Sequence, residues 1–240
     1  MSINIELLLR KTFKLSVFQP LGSGETPIPW IYMPGDCKLV LVLGENAGGK
    51  SFFRRAIDQM TTEERNIHVG HRVPAGPFPV GRMIPVSMEA RTGRMGSLIF
   101  GQEKRHSTGA CSAHSVLMGI KTATTETGTN IIYWDEPDIG MSAGVAAGAG
   151  IEIQTMVLRE SPLTQAVFVT SHSPALISTL SQGLNPHYVY LGDSEGPSNV
   201  SEWLQAQLSP KVVTPQELKE ASRRRRRLIQ KALNAKNKEK

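Results

Sequence analysis

"VLVLGENAGGKSFF", residues 40–53, passes from four apolar residues into a polar, glycine-rich stretch ending in Gly49, Lys50 and Ser51. The apolar run Leu39 to Leu43 reads as a buried strand, and the glycines after it permit a loop whose amides converge like a nest for anions. "FFRRAIDQM" continues with helical periodicity, so the loop falls at a helix N-terminus, where free N–H groups and the helix dipole favour phosphate. The spacing G-x-x-x-x-G-K-[ST] is met by Gly44, Gly49, Lys50 and Ser51, with Glu45, Asn46, Ala47 and Gly48 between them and Phe52 following. In such a cradle the lysine reaches the outer phosphates of a nucleotide and the serine hydroxyl ligates Mg²⁺.

Three further stretches carry matching chemistry. "NIIYWDEPD" reads as a buried strand with Asp135 and Glu136 at its C-terminal end, where open α/β sheets hold their ligands. Asp135 supplies a carboxylate for Mg²⁺, directly or through water, and Glu136 orients and polarises an attacking water. In "AVFVTSHSPAL" a strand runs into a turn at His172, on the same sheet edge and in reach of a terminal phosphate or the water. "RHSTGACSAHSV" sets hydroxyls and a glycine ahead of a helix, another anion-seeking N-terminus, with Ser107 and Gly109 as candidate contacts. Read alone, it is an N-cap.

Strands alternating with helices predict an α/β fold with a mainly parallel sheet flanked by helices. "MIPVSME" and "HYVYLG" supply further strands, "SAGVAAGAGIEIQTMVLRE" a helix with one small-residue face, and residues 70–82 a surface loop. The opening "INIELLLRKTFKLSVF" alternates well enough for one or two strands, an N-terminal antiparallel β part.

The order of these stations resembles the ABC ATPase superfamily across most of residues 35–192. "GENAGGKS" is similar to Walker A, "IIYWDEPD" to Walker B with its following glutamate, "IGMS" to a D-loop and "SHS" to the switch histidine. "STGACS" resembles a degenerate signature motif: against LSGGQ, His106, Ser107, Thr108, Gly109 and Ala110 match only at the serine and the second glycine. The resemblance implies a soluble P-loop ATPase that binds ATP with Mg²⁺ and hydrolyses it. It implies a head-to-tail homodimer, with ATP between one subunit's loop and the other's Ser107 and Gly109, and a protein client driven by the dimer's opening. Gln102 is the candidate Q-loop glutamine. Trp30 and Tyr32 are candidates for an adenine platform or for core packing. The stretch between Ser51 and His106 is too short for a long coiled coil, so a compact head of a DNA-linked or defence-type complex is expected. The nucleotide-binding subunit of a membrane transporter and a slow ATP-gated regulator of a partner effector are the alternatives.

Charge divides the chain of 240 residues unevenly. Its net charge is +6, but residues 211–240 hold 11 of the 27 Lys and Arg and 3 of the 21 Asp and Glu, leaving residues 1–210 at −2. An ATPase domain over 1–210 and a basic tail over 211–240 are expected. In the tail Thr214, Pro215 and Glu217 form a capping box that opens a helix, and Leu218, Ala221, Leu228, Ile229, Ala232 and Leu233 give it an apolar stripe. The five arginines 223–227 read either as a solvated charged face or as a surface for a polyanion, nucleic acid or an acidic protein. The opening lacks the layout of a secretion signal and no apolar run approaches a membrane span, so a cytoplasmic setting without membrane insertion is expected. Cys37 and Cys111 make no ligand-spaced cluster, which agrees with that setting.

Overall fold

The computed structural model describes residues 3–19, 28–62, 65–68, 71–73, 75–78, 80–87, 106–159, 161–192 and 196–238. Gln102 lies outside them. Eight strands and seven helices are present among the described residues: α1 (Ile5–Phe13), β1 (Trp30–Met33), β2 (Leu39–Gly44), α2 (Lys50–Thr61), β3 (Arg65–His68), β4 (His71–Val73), β5 (Arg82–Ser87), α3 (Thr108–Thr125), β6 (Asn130–Asp135), α4 (Ala143–Leu158), β7 (Thr164–Thr170), α5 (Pro174–Ser181), β8 (His187–Leu191), α6 (Val200–Ala206) and α7 (Pro215–Lys238). A 3₁₀ turn covers Ser16–Phe18.

Six strands form one mixed sheet in the order β1-β8-β2-β7-β6-β5. All neighbours pair in parallel except β1 with β8. Parallel pairing suits strands such as β2 and β8, which are buried along their whole length because both faces of the sheet are covered. Alternate residues feed two separate cores. Leu39, Leu41, Ile132, Trp134, Val167 and Val169 pack beneath α3, α4, α5 and α6, while Val40, Val42, Ile131, Tyr133, Phe168 and Val189 pack beneath α1 and α2.

The opening segment departs from the expected strands. Ile5, Leu8, Leu9, Thr12 and Phe13 recur at helical spacing and are buried together. Asn4 caps the helix by accepting a hydrogen bond from the Leu7 N–H at 2.8 Å, and Glu6 pairs with Arg10 one turn on. The antiparallel part of the main sheet reduces to the edge strand β1. A small antiparallel hairpin, β3 with β4, also forms, and its second strand lies inside the stretch expected to be loop.

The basic segment does begin a helix, with Thr214 Oγ1 donating to Glu217 Oε2 at 2.8 Å and accepting from the Glu217 N–H at 3.2 Å. The boundary at residue 210 marks a change in charge rather than in packing. Ala232 of α7 is fully buried in the second core and Ile229 packs against it, on the 3₁₀ turn. Phe18 of that turn lies 5.9 Å from Phe52 and 6.2 Å from Phe53, ring centre to ring centre, in the first turn of α2.

Candidate functional site

The sheet brings three strand ends together. β7 lies between β2 and β6, with Val42 and Asp135 both level with Thr170. Loop 44–51, the turn at Ser171 and His172, and the acidic pair Asp135 and Glu136 therefore emerge side by side at the C-terminal edge.

Loop 44–51 rests on the end of β8. A Cβ at Gly44 or Gly48 would collide with the Leu191 carbonyl oxygen, so this approach requires glycine. Gly49 is the N-cap of α2 at φ +104°, a conformation that side chains disfavour, and no side chain caps the helix. Ala47 also lies in the left-handed region, at φ 61°. A 12-residue helix thus starts beneath a tight loop with its first amides not taken by a side-chain cap.

Lys50 is 7% exposed, and its ammonium donates to the Glu45 carbonyl at 3.1 Å and approaches that of Gly44 at 3.4 Å. It also lies 2.8 Å from His172 Nε2. Burial lowers its pKa to about 8, against the opposing pull of Glu136, Asp135 and Glu45. Glu136 Oε1 lies 3.5 Å from the same His172 nitrogen. One nitrogen cannot serve both partners in the same way: donation from Lys50 needs its lone pair, whereas donation to Glu136 needs a proton there. The shorter distance assigns the lone pair to Lys50. When Nε2 carries the proton, its hydrogen bond is the main influence holding the Glu136 carboxyl below the ordinary range, with Lys50 adding to it.

Glu136 itself is held at φ 52°, with its N–H donating to the Thr170 carbonyl at 3.0 Å. Such a backbone in a residue other than glycine costs on the order of 1 kcal/mol. Asp135 accepts a hydrogen bond from Thr170 Oγ1 at 2.7 Å and has Arg54 Nε 3.6 Å away. Asp138 accepts from Ser171 Oγ at 2.7 Å, and burial raises its carboxyl pKa.

Lys50, Asp135, Glu136 and His172 are thus brought together. Ser51 is exposed in the first turn of α2, while Phe52 is half-buried with its ring on Phe18. Ser107 and Gly109 make their contacts elsewhere. Ser107 is exposed and caps α3 by accepting from the Ala110 N–H at 3.3 Å. Gly109 packs so tightly on Gly140 that a Cβ would strike its carbonyl oxygen, and Ser112 Oγ donates to the Ile139 carbonyl at 2.7 Å. The start of α3 is therefore fastened to the turn 136–141, which begins at Glu136. Trp30 stacks on Phe13 at 4.0 Å and Tyr32 OH meets His187 Nδ1 at 3.0 Å, so both rings serve packing.

Arg54, Thr170, Ser171 and Asp138 were missed by sequence reasoning. Asp138 and Ser171 fall inside the stretches "IIYWDEPD" and "SHS" without being singled out there, and Arg54 follows Lys50 by one helical turn. Among the described residues no three His, Cys, Asp or Glu side chains gather to hold a metal ion, and no helix is long and apolar enough to cross a membrane. Cys37 and Cys111 are free thiols. The chain matches neither a protein-family model nor a curated protein.

Proposed function

We propose that this chain is an ABC-type ATPase that binds ATP at loop 44–51 and hydrolyses it in a head-to-tail dimer. The observation that carries the reading is the convergence of Lys50, His172 and Glu136 at the ends of three neighbouring strands, directly beside a capless helix N-terminus. A buried cation, an ionised carboxylate and free amides meet where a terminal phosphate and an attacking water need them.

The residues present fit Mg²⁺ bound with a nucleotide. Such an ion takes one or two protein oxygens and completes its shell with phosphate and water, so the Ser51 hydroxyl and the Asp135 carboxylate suffice and no cluster of three is needed. When bound, the ion would neutralise charge on the phosphates. Thr170 and Arg54 hold Asp135 in place for that role. Lys50 leaves the Gly44 and Glu45 carbonyls for the outer phosphates and remains mainly protonated at neutral pH. Glu136, with its lowered pKa, is ionised and positions a water as general base. His172 frees its Nε2 when Lys50 turns to phosphate. Ser107, exposed at the start of α3, faces a partner's nucleotide, whereas Gly109 keeps α3 close to the turn after Glu136. The reading extends to a switch for a DNA-linked or defence-type complex.

The test is ATP turnover and nucleotide binding by the wild type and the Glu136→Gln variant. Retained binding with turnover slowed about 10²–10⁴-fold supports the reading. Binding without turnover in the wild type would replace the hydrolase by an ATP-gated regulator, and absence of binding would end both.

A further inference from the structure

The arginine run does not circle a free helix. At about 100° per residue, Leu218, Ala221, Arg225, Leu228, Ile229 and Ala232 fall in one arc roughly 100° wide. These are the half-buried or buried positions of α7 up to residue 232, and Ile229 and Ala232 seat it on the second core. Lys219, Arg223, Arg226, Arg227 and Lys231 fall on the opposite side, and all five are exposed. They run along about 18 Å of helix, the length of roughly five base pairs.

We infer that this solvent face of α7 is a docking surface for the phosphate backbone of nucleic acid. Charge complementarity names the occupant: the segment that carries this face holds a net +8, whereas residues 1–210 are at −2. Four of the five guanidinium groups of the run lie outside the seated arc or beside it, and Arg favours phosphate through paired hydrogen bonds. The remaining residues of the face are polar, including Gln216, Gln230 and Glu220, which accepts from Gln216 at 2.7 Å. No aromatic or large apolar side chain stands there to anchor a protein partner, the usual core of a protein interface. A membrane surface is disfavoured because the apolar stripe needed for insertion is turned toward the body. Contacts of this kind read charge and spacing, not bases, so binding is indifferent to sequence.

The inference stands apart from the ATPase reading, since its test contains no ATP. Binding of a labelled 20-nucleotide single strand and of its 20-base-pair duplex is measured by fluorescence anisotropy with the full chain at rising salt. The variant Arg223→Gln/Arg226→Gln/Arg227→Gln/Lys231→Gln is compared with Lys14→Gln/Arg55→Gln/Lys121→Gln/Arg159→Gln, which removes four exposed cations elsewhere. Circular dichroism confirms that both variants keep their helices. Expected are a loss of at least tenfold for the first variant and a salt slope shallower by about 3, with little change for the second. No binding by the wild type, equal losses in both variants, or equal competition by polyglutamate would overturn the inference.

Discussion

At the scale of single residues the site is governed by Lys50. The folded chain gives up this proton near pH 8, against 10.5 for an ordinary lysine, because burial penalises the cation. Between those values the unfolded chain binds more protons, so this group makes the chain more stable as pH rises. A phosphate needs the protonated form, so nucleotide affinity should be level below pH 8 and fall by up to about tenfold per unit above it. Calorimetry of binding and denaturant titrations across pH 7–10 should show these opposite trends, and Lys50→Met should abolish both. Glu136 makes a second prediction. Asparagine tolerates its left-handed backbone better than glutamine does, so Glu136→Asn should be more stable than Glu136→Gln by about 0.5–1 kcal/mol, while both turn over slowly. Equal midpoints in urea would show that the φ of 52° carries no strain.

At the scale of elements, the fastening of α3 to the turn 136–141 predicts that Gly109→Ala lowers stability by about 1–3 kcal/mol, because backbone and not a flexible side chain stands in the way. Turnover should fall with it, since the same turn carries Glu136. Gly148 in α4 has open space around its missing Cβ, so Gly148→Ala should raise stability by about 0.5–1 kcal/mol in the same thermal scans. Strands β2, β6, β7 and β8 were legible in the sequence because strands buried on both faces are continuous apolar runs. α1 was not, since Ile3, Ile5, Leu7 and Leu9 alternate as a strand would while Ile5, Leu8 and Leu9 keep helical spacing; the cap at Asn4 separates the two. Loop 44–51 and the Asp135–Glu136 pair were legible because spacing along the chain defines them. Arg54 and Thr170 became partners of Asp135 only through the placement of β7 between β2 and β6, which no local pattern records. The close approach of Gly109 to the Gly140 backbone is likewise recorded by no local pattern.

At the scale of the molecule, α7 is both the most basic element and a contributor to the second core. Removing residues 211–240 would therefore uncover packed surface around Phe18, and should lower stability by about 1–3 kcal/mol as well as the charge. Substitution of the solvent-face cations separates the two effects, because it leaves Ile229 and Ala232 seated. Phe18 has a larger consequence. The 3₁₀ turn that carries it neighbours α7, and its ring lies beside those of Phe52 and Phe53, which follow directly on Lys50 and Ser51. If α7 docks a polyanion and loop 44–51 binds ATP, as proposed, occupancy of the outer face would bear on the loop through these two layers of side chains. Saturating duplex should then change ATP turnover, and Phe18→Ala should leave duplex binding intact while making turnover deaf to it.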